Sequence, residues 1–84
     1  MSVDAMDYDV KVDSERLKKI RKLSHMTQTE VAEKMGISMA SYQAKESGDT
    51  KFKEREKFML RQLFNLSFEE FDEILYGGLL RKIV

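Results

Sequence analysis

Eighty-four residues, 42% hydrophobic and 36% charged, make room for one small globular domain and fit neither a disordered nor a membrane chain. The 15 basic and 15 acidic residues cancel, so no overall field argues for a polyanionic partner and any anion binding has to come from a local face. There is no Cys and one His, His25, which excludes disulfides, thiolate metal sites and a catalytic thiol, fits a cytoplasmic location, and leaves no cofactor or metal expected.

In chain order, residues 1–13 read as an acidic arm carrying Asp4, Asp7, Asp9 and Asp13, the opposite of a basic signal-peptide start. Strand alternation is confined to Val10-Lys11-Val12 here and to the tail after Gly78. Ser14 is a candidate N-cap for a first helix in which Leu17, Ile20 and Leu23 recur at threes. Its basic residues, Arg16, Lys18, Lys19, Arg21 and Lys22, read as a solvated face. Thr27-Gln28-Thr29-Glu30 has the form of a capping box, followed by Val31, Ala32 and Met35 as an apolar face and by Gly36 as a stop. Ser38 caps a third helix to about Ser47, with Gly48 as the next stop.

A fourth helix is expected from about Lys53 to Phe64, with Met59, Leu60, Leu63 and Phe64 facing inward. Ser67 caps a fifth that carries Phe68, Phe71, Ile74 and Leu75 on one face. Glu69, Glu70, Asp72 and Glu73 read as a solvated face, with acids in the first turn favoured by the helix dipole. Phe52, Phe58, Phe64, Phe68 and Phe71 read as core, one or two of them at a dimer interface. No apolar run approaches the roughly 18 residues of a membrane span. The expected division is an acidic arm at 1–13, an all-α five-helix domain at 14–76 and a tail at 77–84.

Thr27 to Gly48 is the informative stretch. Two helices of about eight residues are separated by Gly36-Ile37-Ser38, and so short a turn forces them to cross steeply. Ala32 supplies the small side chain that the crossing needs, and Ile37 plugs the core beneath the turn. The helix after the turn then has one face for the core and one facing outward, a size that fits the B-DNA major groove. The segment MTQTEVAEKMGISMASYQAKESG, residues 26–48, resembles the helix-turn-helix of Cro- and XRE-type regulators, with Thr27, Gln28, Ala32, Gly36, Ser38, Glu46 and Gly48 in register.

The resemblance implies a lambda repressor-like fold and double-stranded DNA as partner. It puts Gln28, Ser38 and Ser47 against phosphates and Thr50, Lys51 and Lys53 in a loop that grips the backbone. Met39, Ala40, Gln43 and Ala44 take base-facing positions, Gln43 being able to make a bidentate contact to adenine. Arg21 and Glu46 match a structural ion pair joining the first and third helices. Three departures stand out: His25 where Gly is usual, Lys45 in place of an aliphatic residue, and Tyr42 in place of Ile or Val.

The expected function is a sequence-specific transcriptional regulator, a phage or mobile-element repressor acting as a dimer through the fifth helix and the tail. The alternative is an antitoxin that binds its own operator and a toxin. A protein partner (toxin or antirepressor) would use the acidic arm or the tail, and the arm itself should lie away from the phosphates. No nucleophile–base pair or phosphate loop supports an enzyme.

Overall fold

The computed structural model describes residues 10–83, so the acidic arm lies outside the described residues up to Asp9. Among them the chain forms α1 (Ser14–Leu23), α2 (Gln28–Met35), α3 (Met39–Ser47), α4 (Glu54–Leu63), α5 (Phe68–Tyr76) and α6 (Leu79–Ile83). The five expected helices are present, and a sixth occupies the tail. Neither strand hint is realised: residues 10–13 are irregular and the tail is helical.

The ends of the helices follow local chemistry. Asp13, not Ser14, caps α1 by accepting the amide of Arg16. Ser14 is instead the first helical residue, and its hydroxyl donates to the Glu46 carbonyl at 2.7 Å, fastening α1 to the end of α3. Thr27 and Glu30 form the capping box of α2, and Ser67 and Glu70 that of α5. His25 adopts φ 58, the left-handed conformation that the turn after α1 requires and that His tolerates better than a branched residue. Gly36, at φ 72, ends α2 so that Ile37 can donate its amide to the Ala32 carbonyl and reverse the chain into α3.

α1 packs against both α3 and α5, and α2 packs against α3. Leu17, Val31, Ala32, Tyr42, Leu60, Phe71, Ile74 and Leu75 form the centre of the core. Leu23, the third apolar residue of the spacing in α1, is 70% exposed. Six residues at about 100° each carry it roughly 120° around the helix from Leu17, off the buried stripe. Position 21, one turn after Leu17, takes the inward place and is filled by Arg21.

Two further expectations are corrected. Of the five phenylalanines read as core, Phe58 and Phe68 are 52% and 41% exposed, while Phe52, Phe64 and Phe71 are buried. The acidic run of α5 is not one solvated face either, since Asp72 is fully buried. Its carboxylate accepts the amides of Leu80 and Arg81 at 2.8 and 3.3 Å and the Arg81 Nε at 2.8 Å. Gly77 and Gly78, at φ 61 and 83, fold the chain back so that α6 can start on that carboxylate. Glu73 then joins Arg16 of α1 to Arg81 of α6 at 2.9 and 2.8 Å.

Candidate nucleic-acid interface

α3 is two-faced. Tyr42, Lys45 and Glu46 are buried, whereas Met39, Ala40, Gln43 and Ser47 are exposed and Ala44 is half-buried. Positions 39, 40, 43 and 47 recur at the helical spacing, so the outward residues form one continuous strip. It offers two apolar contacts, one amide head and one hydroxyl, with no charge.

What holds this strip in place is the Glu46 carboxylate on the opposite side. It accepts Arg21 Nε at 2.7 Å, Arg21 Nη2 at 3.3 Å, the Tyr42 hydroxyl at 2.8 Å and Gln28 Nε2 at 2.8 Å. Arg21 Nη1 also donates to the Met26 carbonyl at 2.9 Å, so one ion pair pins α1, the turn before α2, α2 itself and α3. Burial acts to raise the Glu46 pKa, but the hydrogen bonds from Arg21, Tyr42 and Gln28 outweigh it and hold the carboxyl below its usual range. The hydrogen bond to Glu46 raises the pKa of the Arg21 guanidinium, and burial pushes the Tyr42 hydroxyl well above its normal value. The resemblance to a family ion pair pointed to Arg21 and Glu46; the Tyr42 and Gln28 donors are additions that only the packing discloses.

Lys45, the departure from an aliphatic position, does not leave the core thin. Its ammonium reaches Glu56 of α4 at 2.6 Å, both side chains being almost wholly buried. Glu56 also accepts the amide of Lys53 at 2.8 Å, which fixes the exit of the loop between α3 and α4. Burial works against the charged form of Glu56, but the contacts from Lys45 and Lys53 prevail and lower its pKa. The unusual Lys45 was the sequence signal for this second pair, and its partner could not be named without the fold.

Each expected backbone-contacting residue has a definite setting. Gln28 is half-buried at the start of α2, with one amide hydrogen committed to Glu46. Ser38 caps α3 by accepting the Ser41 amide at 3.0 Å. Ser47 donates its hydroxyl to the Ala44 carbonyl at 2.9 Å, so in this rotamer it presents lone pairs rather than a donor. In the following loop Phe52 is buried and packs beside Tyr42 with ring centroids 6.1 Å apart. That anchor turns its neighbours Lys51 and Lys53 outward, along with Thr50. The outward strip of α3 leads into a loop bearing two exposed lysines, and the N-terminus of α2, tied to α3 through Gln28, has a dipole that favours an anion.

The three buried carboxylates predict a pH dependence. Glu46, Glu56 and Asp72 all have lowered pKa values in the folded chain. A carboxyl whose folded pKa lies below its unfolded one stabilises the fold above the unfolded value, about 3.9–4.3, and loses that contribution as pH falls through the folded value. Thermal unfolding followed by circular dichroism should show a Tm nearly constant from neutral pH to about 5 and falling steeply below about 4. A Tm that held down to pH 3 would mean that these carboxylates contribute little.

Among the described residues no group of His, Asp and Glu could hold a metal ion, and no helix is long and apolar enough to cross a membrane. A family model described as helix-turn-helix matches residues 17–71, well over half of the chain, from the middle of α1 into α5. No curated protein and no solved structure matches it.

Proposed function

The chain belongs to the Cro/XRE-type helix-turn-helix family of DNA-binding transcriptional regulators, and we propose that it is a repressor that inserts α3 into the major groove of a two-fold-symmetric operator as a dimer. The observation that carries this reading is the outward strip of α3, backed by the Glu46 network and leading into the loop that bears Lys51 and Lys53. Met39, Ala40, Gln43 and Ala44 then face base edges. Gln43 alone among these four has a head able to read adenine, and the apolar three suit thymine methyl groups, so the half-site contains A·T pairs. Gln28, Ser38, Ser47, Thr50, Lys51 and Lys53 hold the phosphates on either side and set the register without reading sequence. One helix in one groove specifies few base pairs, and two copies with half-sites about 10 bp apart solve that.

Selection of duplexes from a random pool by the purified protein is the direct test. A palindrome with half-site centres about one helical turn apart supports the reading; binding with no sequence preference that vanishes at moderate salt would overturn it. Two substitutions then separate the roles. Gln43→Ala should relax preference at one base position, at a cost of about 1–3 kcal/mol on the selected site and little on random DNA. Lys53→Ala should weaken binding to all sequences alike and flatten the log–log salt dependence by about 0.9. If the two variants behaved the same way, α3 would not be the reading helix.

A further inference from the structure

Sequence alone sends the acidic arm away from the phosphates, yet its root comes out beside the loop expected to grip them. The Asp13 amide donates to the Ile74 carbonyl at 2.8 Å, and the Asp13 carboxylate caps α1. Val12 lies against Gly48, where a Cβ would meet its Cγ1 at 3.9 Å, and Val10 against Gly77, where that distance would be 3.5 Å. Residues 10–13 are thus laid over the ends of α3 and α5. Between them and the loop joining α3 to α4 is a cavity of about 180 Å³, whose wall includes Val10, Lys11, Thr50 and Lys51. We propose that residues 1–9, the last of which adjoins Val10, dock on the lysines of this loop as a stand-in for DNA phosphate.

Charge favours this occupant. Residues 1–9 carry Asp4, Asp7 and Asp9 and no Lys or Arg. The loop holds Lys51 and Lys53 against Asp49, and Lys11 lines the same cavity; all four side chains belong to exposed residues. The remaining charges of the wall answer each other, since Lys57 is paired with Glu54 at 3.3 Å and sits 4.1 Å from the Tyr76 ring centroid. Reach is short. Asp9 adjoins Val10, and at about 3.3–3.6 Å per residue of extended chain Asp7 lies within roughly 11 Å of it. Positions 7 and 9 of an extended run share one side, so both carboxylates can face the lysines together. A tether this short gives an effective concentration in the millimolar range, which populates even a weak charge contact. A lysine that holds the arm does not hold a phosphate, so duplex DNA has to displace residues 1–9 and the free chain is kept off random sequence. That purpose rests on the DNA reading, whereas docking itself is measured without DNA.

The test uses the full chain. Asp4→Asn, Asp7→Asn and Asp9→Asn together remove the arm's charge without changing its length. That triple variant should bind a random-sequence duplex at least about tenfold more tightly at low salt. Its log–log salt dependence should steepen by about 0.9 for each lysine that the arm had covered. Loss of charge alone would also tighten binding, so docking is read in the free protein. The sequence has no Cys, and Ala5→Cys therefore takes a single nitroxide label. Without DNA the label should broaden the amides of Thr50, Lys51 and Lys53 more than those of Tyr76 and Leu79, on the α5–α6 side of the cavity. Adding the duplex, or the three Asn changes, should erase that difference. Equal broadening on both sides overturns the proposal, as does a pattern or a DNA affinity that the Asn changes leave intact. A label that stays on the loop with duplex bound overturns it too. If no duplex binds, the DNA reading fails, while the broadening in the free protein still decides whether the arm docks.

Discussion

Glu46→Ala is expected to destabilise the fold by about 3–5 kcal/mol, a large part of the roughly 5–15 kcal/mol that holds a domain together. The change removes the acceptor of four hydrogen bonds and strands the Arg21 guanidinium at 7% exposure and the fully buried Tyr42 hydroxyl. For a domain of this size that corresponds to a fall in Tm of about 12 °C or more, read by circular dichroism. Arg21→Ala should cost a comparable amount, since it leaves the buried carboxylate with Tyr42 and Gln28 as its remaining donors. The two variants part company on DNA. With both kept cold enough to be folded, Arg21→Ala leaves Gln28 held and should bind operator nearly as wild type does. Glu46→Ala releases Gln28 at the start of α2 and should lose affinity by a further step that is the same for every sequence. A Tm loss of only a few degrees in both would mean that water reaches the pair and screens it. Stronger loss of DNA binding in Arg21→Ala than in Glu46→Ala would make Arg21 a phosphate contact.

How much of this was legible in the sequence depends on the range over which each feature is determined. Caps and turns are fixed within a few residues, so the boundaries of α2 and α3, the capping box at Thr27 and the cap at Ser67 could be read directly. Burial on a helix is fixed by neighbours distant in sequence. Leu23 and Phe58 are apolar and lie near helical spacing, but which side of the axis is covered depends on α3 and α5. The sixth helix escaped for a related reason. Five residues are too few to show a period, and an isolated turn of that length does not hold itself together in water. It forms because a buried Asp72, eight residues earlier, supplies the cap, and an acid in the middle of an acidic run gives no sign that it faces inward. The candidate site divides in the same way. Its outward residues follow from motif register alone, whereas the parts that hold them rigid, Tyr42 and Gln28 on Glu46 and Glu56 on Lys45, are contacts across 4 to 18 positions.

The second buried pair supplies the other large effect. Glu56→Ala strands the Lys45 ammonium at 9% exposure and removes the acceptor for the Lys53 amide, so a loss of about 3–5 kcal/mol is expected. The double change Lys45→Met, Glu56→Gln is expected to behave differently. Met fills the space of the lysine stem without a charge, and the Gln side-chain oxygen can still accept the Lys53 amide, so no buried ion is left unpaired. Replacement of a whole buried pair by groups of similar volume is often neutral or better. Its Tm should therefore lie within about 8 °C of wild type, where Glu56→Ala alone falls by about 12 °C or more. The acid limb of the stability curve should also become shallower, because one of the three buried carboxylates with a lowered pKa is gone. If the double variant were as unstable as Glu56→Ala, the pair would contribute attraction well beyond its desolvation cost. The Lys45 position would then be an ionic brace between α3 and α4 rather than a tolerated substitute for an aliphatic side chain.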